Sequence, residues 1–200
     1  MIQIDSEALI AYPKDAHWYD KLHLSRTLGY KCGVGKIPTS GIWIIRPITN
    51  LEGMGRQARI GHFEGGTPIA SGLFYCEVFN GRHITIDYER EDGIWTQTET
   101  FEGFNTPKNL VQFSRWMRVD FTYPIPNFLK GVEPDHINIE TIGGKVIEVH
   151  LRPNPDPIEY DDFWPIWSED QKPPFDNYVR IPDHCDETEM GRRGFYVPKW

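Results

Sequence analysis

The apolar positions of the chain fall into one helical stretch near the start and then into short alternating or continuous runs, separated by glycine, proline and asparagine. Asp15 is placed to cap a helix reaching about Leu28, with Trp18, Leu22 and Leu28 among its buried positions and Gly29 as its stop. Ile42-Trp43-Ile44-Ile45-Arg46, closed by Pro47, predicts a strand buried on both faces. The runs Leu73–Phe79 and His83–Tyr88 flank Asn80-Gly81, a dipeptide that tolerates the positive φ of a tight turn, and predict a hairpin. Ile137–Ile142 and Lys145–His150 flank Gly143-Gly144 and predict a second one. Between them, Thr106-Pro107 opens an expected helix carrying Leu110, Val111, Phe113, Trp116 and Met117. Helix, strand, glycine loop, hairpin, helix, hairpin is an α+β pattern.

The second hairpin carries chemistry. Asn138 and Glu140 lie two residues apart, as do Glu148 and His150, so each pair points to one face and strand pairing can gather all four. Ile137, Ile139, Ile147 and Val149 take the other face. A polar face of this kind is either a solvated exterior or a hard-cation site of oxygen ligands, for which His150 is awkward if the ion is magnesium.

Two hundred residues with 39% hydrophobic content are enough to bury a core, so disorder is not expected. No run approaches the roughly 18 apolar residues of a membrane span, and the first residues lack the basic and apolar regions of a signal peptide, which predicts a soluble, cytoplasmic protein. Cys32, Cys76 and Cys185 are widely spaced and odd in number, which argues for reduced thiols. The net charge of −8 resides in the C-terminal stretch, where eleven carboxylates from Asp156 to Glu189 face only Lys172 and Arg180. Residues 1–155 are near neutral and remain open to a polyanionic small ligand, while extended nucleic-acid binding is disfavoured. Prolines from Pro153 onward mark a boundary near that residue. Beyond it Trp164, Trp167 and Trp200, with several Phe and Tyr residues, predict an ordered, irregular tail that covers the chain's own apolar surface or a partner's.

Gly53-Met54-Gly55-Arg56-Gln57-Ala58 fits G-x-G-x-x-A, but a dinucleotide-binding turn must open a helix, and Gly61, Gly65, Gly66 and Pro68 would break one. A dinucleotide-binding oxidoreductase therefore requires a helix directly after Ala58. Lys31 to Lys36 is no P-loop, because the spacing from Gly29 is wrong and Ile37 stands where a hydroxyl would bind an ion. A glycine loop between strands can still close over phosphates through its backbone N–H groups. On local grounds alone Arg46 is a snorkelling arginine at a strand end and Lys21 a solvated helix residue.

Taken in order, residues 15–155 resemble the ATP-grasp superfamily. Asp20-Lys21 before Gly29 and Ile37-Pro38 resembles the DK helix, whose lysine reaches the nucleotide phosphates. Ile44-Ile45-Arg46-Pro47 resembles the strand bearing the second phosphate-binding lysine, with arginine substituted, and Gly53-Met54-Gly55 falls where the flexible glycine loop belongs. Cys76-Glu77-Val78-Phe79-Asn80-Gly81-Arg82-His83 resembles the segment that holds adenine and ribose, with His83 in place of an acidic ribose ligand. Ile147-Glu148-Val149-His150-Leu151-Arg152 is similar to the closing motif in which glutamate and asparagine bind magnesium and arginine faces the transferred group. His150 replaces that asparagine, Asn138 or Glu140 would be the remaining ligand, and the usual N-terminal domain has no counterpart before Lys21.

The resemblance implies an α+β ATP-grasp-like fold of two small lobes, residues 1–75 and 76–155, with nucleotide between them and residues 156–200 as the tail. It implies ATP and Mg2+ as cofactors, with Lys21, Arg46 and Arg152 catalytic, Lys21, Arg46, Gly53, Met54, Gly55, Cys76, Glu77, Val78, Phe79 and His83 toward the nucleotide, and Asn138, Glu140, Glu148 and His150 toward metal. The implied function is ATP-dependent ligation, in which a small-molecule or peptide carboxylate becomes an acyl phosphate for attack by an amine or thiol. A second copy or partner protein would complete the substrate cleft. The alternative is a noncatalytic binding or structural protein, viral or oligomeric, that keeps the fold.

Overall fold

The computed structural model describes residues 4–49, 57–105, 110, 112–183 and 191–199. Helix α1 (Asp5–Ala11) leads into a 3-10 turn (Ala16–Tyr19) and α2 (Lys21–Thr27). The single helix expected from Asp15 is thus divided. Asp20, not Asp15, caps α2, its Oδ1 accepting the His23 N–H at 2.7 Å. Gly29 ends the helix as expected, at φ +72°, while the Tyr30 N–H returns to the Ser25 carbonyl.

Strands β1 (Cys32–Gly33), β2 (Gly41–Pro47), β3 (Arg59–Phe63) and β4 (Leu73–Cys76) form an antiparallel sheet in the order β1-β4-β2-β3. Only the second half of β2 is well covered: Ile45 and Arg46 are buried, whereas Ile42 is 66% exposed opposite His62 on β3. The expectation of a strand buried on both faces holds where β4 and α2 cover it and fails beyond. Because β3 directly follows Ala58, the helix that a dinucleotide fingerprint requires does not form, and that reading is withdrawn.

The larger sheet contains β5 (His83–Glu91), β6 (Ile94–Asn105), β7 (Phe113–Arg118), β8 (His136–Ile142), β9 (Lys145–His150), β10 (Asp162–Pro165), β11 (Tyr178–Ile181) and β12 (Phe195–Pro198). Their order is β11-β12-β10-β7-β6-β5-β8-β9, all neighbours antiparallel. The hairpin expected between residues 73–79 and 83–88 is not formed, since β4 pairs with β1 and β2 while β5 pairs with β6 and β8. Asn80-Gly81 instead carries the chain from one sheet to the other. Gly81, at φ +128°, lies so close to Gly143 that a Cβ on it would meet the Gly143 Cα at 2.7 Å. The tight turn from β5 is Asp92-Gly93, both at positive φ.

The expected helix near residue 113 is also corrected. Phe113–Arg118 is β7, bonded to β6 on one side and β10 on the other, and sheet pairing overrides the helical spacing. Residues 106–109 and Val111 lie outside the described residues. The β8–β9 hairpin is present over Gly143-Gly144, with Asn138 opposite His150 and Glu140 opposite Glu148.

The main core lies on one face of β5, β8 and β9, where Ile84, Ile86, Tyr88, Ile137, Ile139 and Val149 meet Ala8, Tyr19 and Leu24 from the helical segments. Ile147 does not join it. A register shift after Glu140↔Glu148 places Val146 opposite Thr141, so Val146 enters the core and Ile147 turns to the opposite face. A second cluster, Phe101, Trp116, Phe163, Phe195 and Val197, joins β6 and β7 to the strands after residue 155. Trp164 and Trp167 are half-buried, with the Trp167 indole donating to the Phe113 carbonyl at 2.7 Å, and Trp200 lies outside the described residues. Among the described residues no helix is long and apolar enough to cross a membrane.

Candidate functional site

Strand alternation puts His83, Thr85 and Asp87 of β5, Asn138 and Glu140 of β8, and Glu148 and His150 of β9 on the face opposite the main core. Most of these side chains line a cavity of about 200 Å³, closed on its other sides by Ile44 and Arg46 of β2, Ile60 of β3, and Asp156, Trp167 and Arg192 from beyond residue 155.

Two cations reach this face from separate segments. An antiparallel bridge between Asp20 and Thr49, and a 2.7 Å bond from the Lys21 N–H to the Ile48 carbonyl, tie the start of α2 to the end of β2. Lys21 and Arg46 are thereby neighbours. The Lys21 Nζ lies 2.7 Å from Glu148 Oε1, and Arg46 Nη1 lies 3.6 Å from the same oxygen. Arg46 Nη2 donates to the Ile147 carbonyl at 2.8 Å, while its guanidinium lies 5.4 Å from the Phe74 ring centroid. Burial pulls the Lys21 pKa down, Glu148 opposes that, and Arg46 adds to it.

The second half of the site is a chain of paired charges. Glu140 Oε2 lies 2.8 Å from His83 Nε2. His150 Nε2 faces Glu140 Oε1 at 3.8 Å and Glu148 Oε2 at 4.0 Å, while its Nδ1 lies 3.0 Å from both oxygens of Asp5. Asp5 also accepts from Arg152 Nη2 at 2.8 Å and from the Tyr19 hydroxyl at 3.1 Å. Burial raises the Asp5 carboxyl, but His150 and Arg152 outweigh it and hold the group at about 2. Burial lowers His150 in turn, yet against these side chains Asp5 and Glu140 lift it to about 10. Glu140 is held well below the ordinary carboxylate range by both histidines against the opposing effect of burial.

Beside this chain Asn138 donates its amide to Thr85 Oγ1 at 2.7 Å and to the Ile86 carbonyl at 3.3 Å. Asp87 is 4% exposed. Its Oδ1 accepts the Asn154 N–H at 2.7 Å, and burial raises the carboxyl to about 7 against the opposing effect of Asn154 and Asn138.

The fold thus gathers Lys21, Arg46, His83, Asn138, Glu140, Glu148, His150 and Arg152 around one cavity or its immediate walls. Cys76, Glu77, Val78 and Phe79 do not line this cavity. Cys76 is buried with Leu22 and Phe74, Phe79 packs on Tyr30 at 4.7 Å, and Glu77 accepts the Lys31 N–H at 2.8 Å. Gly53, Met54 and Gly55 lie outside the described residues. Sequence reasoning missed Asp5, whose short helix carries no strong apolar period, and Asp87, which reads as an ordinary polar residue of an alternating strand. It also missed Asp156 and Arg192, whose pairing spans 36 residues.

The donor set bears on the cation that the resemblance implies. One oxygen each from Glu140 and Glu148 and a ring nitrogen of His150 lie within 4.8 Å of one another, close enough to share a divalent ion. The residues fit such an ion, with His150 supplying nitrogen where magnesium would take oxygen.

No protein-family model matches the chain, and no curated protein matches it. Solved structures do. A protein from Archaeoglobus fulgidus, described as of the ATP-grasp superfamily, matches over 92% of this chain and 65% of its own length at 13% identity, with a TM-score of 0.52. An L-amino acid ligase from Bacillus licheniformis matches over 68% of this chain and 41% of its own, at 10% identity and TM-score 0.43. The ATP-grasp ligase PsnB, complexed with a minimal precursor, matches over 70% and 53%, at 14% identity and TM-score 0.38. The chain therefore spans less than two thirds of the length of each. The fold is ATP-grasp-like and α+β, and the first of these likenesses carries that statement.

Proposed function

We propose that the chain binds ATP in the cleft between its two sheets and acts as an ATP-dependent ligase, activating a carboxylate for attack by an amine or thiol. The observation that supports this is the convergence of Lys21 and Arg46, from α2 and β2, on Glu148 of β9. Buried cations held in advance stabilise charge on a transferring phosphoryl group with little reorganisation. In the proposed reaction a substrate carboxylate oxygen attacks the γ-phosphorus and ADP leaves. The amine nitrogen or thiol sulfur then attacks the acyl carbon, the bond from that carbon to the phosphate oxygen breaks, inorganic phosphate leaves and the nucleophile gives up its proton. Lys21 and Arg46 would hold the phosphates, Gly53–Gly55 would close over them, and the segment Cys76–Phe79 with His83 would flank the nucleoside. Arg152 would face the transferred group. Glu140, Glu148 and His150, with Asn138 beside them, would hold a divalent ion such as Mg2+, which when bound neutralises phosphate charge. In this reading residues 1–75 and 76–155 are the two nucleotide-binding lobes, residues 156–200 wrap the core or a partner, a second copy or partner completes the substrate side, and the protein is cytoplasmic.

The test is ADP release from ATP across pooled carboxylates and amines, with ATP affinity measured by calorimetry. Wild type should release ADP in a substrate-dependent manner, and Arg46→Met should weaken ATP binding at least tenfold. ATP binding without ADP under any combination would leave the second reading, a noncatalytic nucleotide-binding protein. One observation favours that reading: Glu140 and Glu148 are each already paired with cationic or imidazole groups. Undetectable ATP binding would refute both and favour a structural protein that keeps the fold.

A further inference from the structure

We infer that Glu140, Glu148 and His150 form a three-ligand site that selects a borderline divalent ion of the zinc or cobalt type over magnesium. The inference deepens the proposed function and rests on it for the ion's task, though not for its binding.

The arrangement is more than a cluster of like residues, because in each of the three side chains one polar atom is fixed by an outside partner and the other is turned inward. Glu140 has Oε2 fixed by His83 at 2.8 Å, which leaves Oε1 facing His150. Glu148 has Oε1 fixed by Lys21 at 2.7 Å, which leaves Oε2 facing His150. His150 has Nδ1 fixed by Asp5 at 3.0 Å, which leaves Nε2 facing both glutamates. Outer partners of this sort orient metal ligands and raise their basicity, and a carboxylate behind the far nitrogen of a ligating histidine is a recurrent form.

The spacing agrees with one shared ion. Bonds of about 2.1 Å around a tetrahedral ion set ligand-to-ligand edges of roughly 3.4 Å. The two edges to His150, 3.8 and 4.0 Å, need to close by only a few tenths of an ångström, and the edge between the two glutamates lies within 4.8 Å. An incoming ion would take the place of the Nε2 proton, which is released to solvent, and all three residues line the cavity, where a water or phosphate oxygen could complete the set. Magnesium asks for a near-octahedral shell of oxygens and dehydrates reluctantly, whereas imidazole with carboxylates suits zinc and cobalt.

The experiment titrates the full chain with Co2+ and follows its visible absorption, with ATP binding measured in parallel. One equivalent of Co2+ should bind, be displaced by one equivalent of Zn2+, and persist in about a hundredfold excess of Mg2+. His150→Asn and Glu140→Gln should each weaken Co2+ binding at least tenfold, and Asp5→Asn, which removes the carboxylate behind His150 Nδ1, by about tenfold in protein confirmed folded at the assay pH. Displacement by equimolar Mg2+ would overturn the inference, and that comparison requires no variant to fold. So would a cobalt spectrum unchanged in both ligand variants, or a near-ultraviolet thiolate band placing the ion at Cys32 and Cys76, which face each other across β1 and β4. Tight Co2+ with no ATP binding would sink the ligase reading alone, and ATP binding with Mg2+ preferred would sink this inference alone.

Discussion

His150 Nδ1 stands 3.0 Å from each carboxylate oxygen of Asp5, a residue 145 positions earlier in the chain. The pair joins α1 to the end of β9, and Arg152 closes it into a triad in which one buried anion serves two cations. Removing a single partner from such a set is costly, because the remaining charges stay buried without compensation.

Asp5→Asn should therefore destabilise the protein by about 3–5 kcal/mol at neutral pH, read from urea unfolding. The Asp5 carboxyl sits at about 2 in the folded chain against an ordinary 3.8, so its contribution is present above 3.8 and disappears as pH falls through 2. The difference between wild type and variant should shrink across that window. An unchanged difference at pH 2 would show that lost packing, not charge, sets the effect.

Lys21 and Glu148 separate stability from function. Lys21→Met leaves Glu148 facing only the more distant Arg46 and His150, and should cost about 3 kcal/mol. Adding Glu148→Leu removes the stranded anion and should restore most of that stability, because an apolar pair of similar volume often replaces a buried ion pair without loss. ATP affinity should stay at least tenfold reduced in the double variant. Recovery of both would mean that the pair is structural and that phosphate binds elsewhere.

The parts of this site that were legible in the sequence are those fixed by local geometry. Gly143-Gly144 sets the β8–β9 turn, and two-residue alternation then forces Asn138, Glu140, Glu148 and His150 onto one face. Local reasoning failed where sheet context decides. Asn80-Gly81 carries the same turn chemistry as a hairpin, yet β5 is already paired on both edges, so the dipeptide bridges two sheets instead. Phe113 and Trp116 fit a helical period, but β6 and β10 offer hydrogen bonds on both sides of the segment and it becomes a strand. The Asp5–His150 pair left no local trace, since nothing near either residue specifies a contact across 145 positions.

Asp87 should make stability fall as pH rises. Burial lifts its folded carboxyl to about 7 from an ordinary 3.8, so between those values the folded chain binds more protons than the unfolded one. The sign is thus opposite to that of Asp5. Asp87→Asn keeps an oxygen for the Asn154 N–H and removes the ionisation. Relative to wild type the variant should gain stability from pH 4 to about pH 7 and level off above it, by an amount on the order of 4 kcal/mol. A difference that stays flat over this range would mean that Asp87 is ionised at the ordinary pH in the folded protein.

Arg192 should hold the C-terminal strands against the cleft. Its Nε lies 2.6 Å from Asp183 Oδ2 and its Nη1 lies 2.8 Å from Asp156 Oδ1, with the guanidinium 4.5 Å from the Phe195 ring centroid. All three charged side chains are largely buried, and Asp156 and Arg192 also line the cavity. Arg192→Ala removes the guanidinium that the two buried carboxylates share, so a stability loss of about 3–5 kcal/mol is expected. Arg192→Lys should recover little of it, because an ammonium is a single point of charge and cannot fork to two carboxylates while stacking on a ring. Limited proteolysis distinguishes a local from a global effect. Faster cleavage confined to residues after 155, with ATP binding weakened in proportion, would place these strands in the working cleft. The same cleavage with unchanged ATP affinity would confine them to a supporting role at the end of the sheet.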